Sequence, residues 1–214
     1  MSHVDAFRAH LADCPLIAII RGVTPAEIEG VGDALFDAGF RIIEVPLNSP
    51  DPLVSIERLA KRAGDRATVG AGTVLSADDV RRVQQVGGRI IVSPNTDRDV
   101  IAATAAAGLV SSPGYFTPSE AFTAAKAGAH VLKLFPAEAA GPAVVKAQLA
   151  ILPRDIPLVV VGGVRPDNMR PFIEAGAAGF GLGSSLYKPG MTVDEVARNA
   201  RAFVAAIREL RSSS

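Results

Sequence analysis

Short apolar runs and longer amphipathic segments alternate eight times along this chain. The runs at 15–21, 40–46, 67–72, 89–94, 109–113, 129–135, 157–162 and 178–183 are rich in Val, Ile, Leu and Phe and have strand length. Alanine-rich segments with helical spacing follow at about 25–38, 51–63, 77–86, 97–107, 117–127, 140–151, 166–175 and 192–210. Residues 3–12 predict one more helix ahead of the first strand. Four helical segments close on an Ala-Gly pair (Ala38-Gly39, Ala107-Gly108, Ala127-Gly128 and Ala175-Gly176), where glycine takes up the left-handed conformation that ends a helix. Thr24-Pro25, Ser76, Thr117-Pro118 and Pro166 are opening signals. Eight strand–helix units repeating at roughly 22 residues predict an α/β fold, a closed (β/α)8 TIM barrel with an extra N-terminal helix. An open doubly wound sheet is the rival, weakened by the lack of an early GxGxxG turn.

No linker or low-complexity stretch interrupts the pattern, so residues 1–214 read as one domain, with 12–14 ending the leader and 211–214 a frayed tail. The 22 basic and 22 acidic residues cancel without forming blocks, which predicts neither a nucleic-acid nor an anionic-membrane partner. Leu16 to Ile20, the longest apolar run near the start, is too short for a membrane span and lacks a signal-peptide layout. The expectation is a cytoplasmic protein. Cys14 is the only cysteine, so no intrachain disulfide can form, and it reads as a small buried hydrophobe.

A barrel carries its chemistry at the C-terminal ends of its strands. Polar residues stand there: Arg21 after the first run, Glu44 in the second, Thr73 after the third and Lys133 late in the sixth. Lys133 is one of five lysines, and its neighbours Val131, Leu132, Leu134 and Phe135 are all apolar. An ammonium in such a strand loses hydration, its pKa falls, and a neutral amine can attack a ketone to form a Schiff base. Alternatively the side chain snorkels to water. Strand parity puts Lys133 on one face with Val131, and Glu44 with Ile42. If both faces line the axis, an amine and a carboxylate meet, either as reactive groups or as a structural ion pair. Arg21 suits a substrate carboxylate or phosphate, or else pairs with Glu44.

Two glycine clusters end the last strands, at Gly162-Gly163 and at Gly179 to Gly183 with Ser184. Turn amides there, with a short helix at Ser184 to Tyr187, predict a phosphate cradle. His3, His10 and His130 fall away from this end, and no metal-ligand spacing appears, so neither metal nor cofactor is expected.

Five segments carry a resemblance. Ile19-Ile20-Arg21-Gly22, Ile43 to Pro50, Gly70-Ala71-Gly72-Thr73-Val74, Leu132 to Ala137 and Val161-Gly162-Gly163-Val164 are similar, in order, to the class I 2-keto-3-deoxy-6-phospho-sugar-acid aldolases. The likeness runs from about Leu16 to Glu209. The gluconate type usually reads Glu-Val-Thr-Leu-Arg-Thr after strand two and Thr-Gly-Gly after strand seven. Here Glu44-Val45-Pro46-Leu47-Asn48-Ser49 and Val161-Gly162-Gly163 resemble the galactonate type. The resemblance implies Lys133 as Schiff-base lysine, Glu44 as acid/base and Val161 as an influence on Glu44's orientation. It implies Arg21 and Thr73 on the substrate carboxylate, Pro94 and Phe135 as apolar walls, and Gly162, Gly163, Gly183 and Ser184 on phosphate. It further implies a phosphorylated keto-acid substrate and a homotrimer. A phospho-sugar isomerase or epimerase, and a non-enzymatic metabolite sensor, are the competing readings, because barrels with phosphate loops serve many reactions.

Overall fold

The computed structural model describes residues 1–212. Eight parallel strands close into a barrel in chain order: β1 (Leu16–Ile19), β2 (Ile42–Pro46), β3 (Thr68–Gly72), β4 (Ile90–Ser93), β5 (Val110–Tyr115), β6 (Leu132–Leu134), β7 (Leu158–Val161) and β8 (Gly179–Leu182). β8 pairs back onto β1, with Leu16 opposite Phe180 and Ala18 opposite Leu182. This closure removes the open-sheet rival.

Parity along the strands separates two cores. Leu16, Ala18 and Ile20 face outward with Ile43, Val45, Leu132, Leu134 and Val160, where the surrounding helices cover them. Ile17, Ile19, Ile42, Ile90, Val92, Val110, Val131, Val159 and Val161 fill the barrel itself. Helix α1 (His3–Asp13) begins on Ser2, whose hydroxyl accepts from Asp5 N while the Asp5 carboxylate accepts in return. It delivers Phe7 and Leu11 to the N-terminal floor of the barrel, where they join the interior cluster. Burying Phe7 alone stabilises by roughly 2–3 kcal/mol. His10 bonds Thr68 Oγ1 at 2.9 Å, and His130 Nδ1 accepts from Ser111 N, so both histidines serve this end of the fold. Cys14 is buried.

The helices around the barrel are α2 (Ile28–Ala38), α3 (Pro52–Ala63), α4 (Ala77–Gln85), α5 (Arg98–Ala106), α6 (Pro118–Ala127), α7 (Gly141–Leu149), α8 (Arg170–Glu174) and α9 (Val193–Ser212). Three departures from expectation have local causes. The helix expected from 25 starts at Ile28, because the Thr24 amide and hydroxyl both donate to Glu27 Oε2 and close a turn first. The one expected over 166–175 shrinks to α8. Pro171 has no N–H to donate backward, and Asn168 instead accepts from Arg165 N and donates to Gly163 O. The predicted frayed tail is helical through Ser212, with Arg211 donating to Asp13 O. Ser213 and Ser214, also assigned to that tail, lie outside the described residues. No helix among the described residues is long and apolar enough to cross a membrane.

Candidate active site

A cavity of about 690 Å³ opens at the C-terminal end of the barrel, and all the catalytic and substrate- or phosphate-binding residues expected from the resemblance line it: Arg21, Glu44, Thr73, Pro94, Lys133, Phe135, Val161, Gly162, Gly163, Gly183 and Ser184. Glu44 sits one inward position above Ile42 on β2, beside Ile19 of β1 and Gly70 of β3. Lys133 sits one inward position above Val131, beside Gly114 of β5 and Val159 of β7.

Both charged groups are almost fully enclosed, at 2% exposure for Glu44 and 8% for Lys133. The snorkelling alternative for Lys133 is therefore excluded. Lost hydration pushes the Glu44 carboxyl up to about 7, with the Lys133 and Arg21 charges pulling the other way. Lost hydration also lowers the Lys133 ammonium below the usual lysine range; Glu44 opposes this shift and Arg21 adds to it. Burial dominates in both, so each group moves toward its neutral form. The Lys133 ammonium stands 5.0 Å from the centre of the Phe135 ring, a half-dry contact.

Glycine makes room for the carboxylate. A Cβ on Gly72 would overlap the Glu44 carboxyl group, so a side chain here would displace the carboxyl. Glu44 Oε2 is buried and has no hydrogen-bond partner in the protein. Among the described residues no salt bridge joins Glu44 to Lys133 or to Arg21. The three charges act on one another across the cavity without a direct ion-pair contact.

Arg21 lies in the turn beyond β1, not in the strand, and its Nη1 donates to Asn48 Oδ1 and, at 3.3 Å, to Thr73 Oγ1. Thr73 holds a left-handed backbone with φ of 55°, a costly setting for a β-branched residue, of order 1–3 kcal/mol. The next residue after Arg21, Gly22, donates its N–H to the buried Ser49 hydroxyl at 2.9 Å. Three loops thus hold one guanidinium over the cavity. Asn48 and Ser49 were quoted in the sequence motif, yet their hold on Arg21 and Gly22 had no sequence signal.

On the far side, Gly162 and Gly163 have positive φ of 112° and 65°, consecutive settings that concentrate backbone N–H groups in a turn. Ser185 Oγ donates to Val164 O at 2.8 Å and ties the loop after β7 to the loop after β8. The short helix expected at Ser184 to Tyr187 is a single turn, closed by Leu186 N and Tyr187 N on Gly183 O at 2.9 and 3.0 Å. A Cβ on Gly183 would meet nothing within 4 Å, so this strand end is open to the cavity. Arg165 and Lys188 also line this side. Among the described residues, no group of three or more His, Cys, Asp or Glu is placed to hold a metal ion.

A buried amine, a buried carboxyl near neutrality and an anchored guanidinium can together perform imine chemistry on a keto acid. Comparison with known proteins agrees with that chemistry. The KDPG and KHG aldolase family model matches residues 7–208. A Rhizobium meliloti (strain 1021) protein described as a probable 2-dehydro-3-deoxy-6-phosphogalactonate aldolase is 51% identical over 192 residues, covering 90% of this chain and 91% of the relative. The 2-dehydro-3-deoxy-6-phosphogalactonate aldolase of Escherichia coli (strain K12) is 48% identical over 195 residues, covering 91% and 95%. A solved structure described as native KDPGal superposes with a TM-score of 0.91 at 47% identity, covering 92% of this chain and 96% of the other. At this coverage and identity the chain belongs to the KDPG and KHG aldolase family, whose aldolases make and break carbon–carbon bonds.

Proposed function

We propose that this protein is a class I aldolase cleaving 2-dehydro-3-deoxy-6-phospho-D-galactonate to pyruvate and D-glyceraldehyde 3-phosphate, in D-galactonate breakdown. One observation carries the reading: Lys133 and Glu44 share the floor of one cavity, each pushed by burial toward its neutral form. The two relatives near half identity favour the galactonate epimer over the gluconate one.

The neutral Lys133 amine adds to the C2 ketone, and Glu44 shuttles protons while the carbinolamine loses water to give a protonated imine. The Glu44 carboxylate then takes the C4 hydroxyl proton. The C3–C4 electron pair flows into the imine, leaving an enamine, and the aldehyde departs with the phosphate. Glu44 returns its proton to C3, and water releases pyruvate and the free amine. A carboxyl near 7 can both accept and return that proton at neutral pH. The imine takes up the electrons, so the chemistry calls for no metal.

Arg21, fixed by Asn48 and Thr73, holds the substrate carboxylate, with Thr73 as a further donor. Pro94, Phe135 and Val161 keep the reacting end apolar. The amides around Gly162, Gly163, Gly183 and Ser184 receive the phosphate. The same reading makes the whole chain one catalytic domain, acting in the cytoplasm as a homotrimer.

Borohydride reduction in the presence of pyruvate tests the central step. It should fix a pyruvate-derived adduct on Lys133, read by peptide mass. No adduct, or one on another lysine, overturns the mechanism. Coupling pyruvate release to lactate dehydrogenase, with both C4 epimers as substrates, should give the higher kcat/KM for the galactonate form; an isomerase would release none.

A further inference from the structure

Beneath the Lys133–Glu44 pair, on the barrel side and not the substrate side, lies a second, much smaller cavity. It leaves about 10 Å³ for the centre of a water molecule, room for one and no more. Six of its lining residues are apolar or glycine: Ile17, Ile19, Val92, Val159, Val161 and Gly181. The other three are Glu44, Lys133 and Ser112.

Ser112 is 2% exposed. On β5 it points inward with Val110 and lies two residues before Gly114, the neighbour of Lys133, which puts it one inward step nearer the floor. A hydroxyl in this interior, otherwise packed with Val and Ile, calls for a polar partner. So does Glu44 Oε2, which is buried and unbonded. An ordered water needs two to four polar partners, and three residues with polar side chains line this cavity: Ser112, Glu44 and Lys133.

We propose that Ser112 is a positioning residue for Glu44: its hydroxyl anchors one water below the pair, and that water gives Glu44 Oε2 the donor the protein does not. Ser112 touches no substrate. Through the water it holds the carboxylate aimed at the cavity above and lowers the cost of its charge. The other charges facing Glu44 are Lys133 from β6 and Arg21 from the turn after β1; β3 presents only Gly70 and Gly72 there. The uncharged Ser112–water contact is therefore a distinct influence, and it rests on the aldolase reading above for its catalytic meaning.

Ser112→Ala removes the anchor, and Ser112→Val also fills the space. In both, the acid limb of kcat against pH should move up by about one unit, because the carboxylate loses a donor. Well below the limb, a one-unit shift lowers kcat by about tenfold at a given pH. KM should change less than twofold, and Ser112→Thr, which keeps the hydroxyl, should keep the original limb. A purely structural serine would alter stability and leave the limb in place; an unmoved limb in both variants, with pyruvate still trapped on Lys133, overturns the role of Ser112 alone. Failure of trapping in the unaltered enzyme instead overturns the aldolase reading. A high-resolution crystal structure of the unaltered protein gives an independent check. One water within hydrogen-bond reach of Ser112 Oγ and the Glu44 carboxyl is expected, and a dry cavity refutes the inference.

Discussion

Replacing Glu44 by Gln should abolish turnover and, above neutral pH, make the protein more stable. The carboxyl is buried and its native pKa is raised from 4.5 to about 7 by desolvation. Between those values the native state keeps a proton that the unfolded chain has released. Stability therefore falls as pH rises through this window. Integrating between pH 5 and pH 8 gives a loss of roughly 2–3 kcal/mol from this one group. Gln has the same shape and no charge to bury, so the variant should lack this loss. Lys133 has the opposite sign: its lowered native pKa makes stability rise with pH. Without Glu44's attraction its pKa falls further, which adds to the same double difference. Urea denaturation of both proteins at pH 5 and pH 8, at one protein concentration, measures that difference and cancels any pH-independent cost of the amide. Parallel pH profiles for the two proteins would refute the claim that Glu44 is held at the expense of the fold.

Two further substitutions probe the surroundings. Gly72→Ala puts a methyl group where the Glu44 carboxyl lies, so kcat should fall by about a hundredfold or more as the carboxylate is displaced, with far-UV circular dichroism unchanged; a fully active variant would show that the carboxylate has slack. Asn48→Ala leaves Arg21 without its main acceptor, and steady-state kinetics should show KM rising about tenfold, a 1.4 kcal/mol loss, with kcat within twofold; an unchanged KM would mean Thr73 holds the guanidinium alone.

The barrel was legible because its period is written in the chain: apolar runs of strand length, helices closed by Ala-Gly, and a spacing of roughly 22 residues. Parity then grouped Lys133 with Val131 and Glu44 with Ile42, and the structure turns both of those faces toward the axis. Element ends were less legible. Strand β6 is only Leu132–Leu134, because His130 N and Val131 N both bond to Ser111 O and not to a continuing ladder. Phe135 lies past the strand's other end, and Arg21 lies past β1, each on a loop whose course is set by its neighbours. Asn48 and Ser185 act through hydrogen bonds to residues 27 and 21 positions away, distances at which a sequence shows no pattern. Ser112 is a harder case: its significance comes from a gap enclosed by residues of six other strands. Nothing in Ser111-Ser112 signals that one faces the helices and the other the axis until β5 has a register.

The floor of Phe7 and Leu11 turns the barrel into a shaft with a single mouth. With the imine chemistry proposed at Lys133, the keto-acid half would lie at the bottom and the phosphorylated half above it, nearer the rim. Traffic is then last in, first out: the aldehyde leaves before pyruvate can be freed, and in the reverse direction pyruvate has to be seated first. In the proposed reaction the leading helix, by filling the opposite end, leaves both products the same way out without touching the substrate.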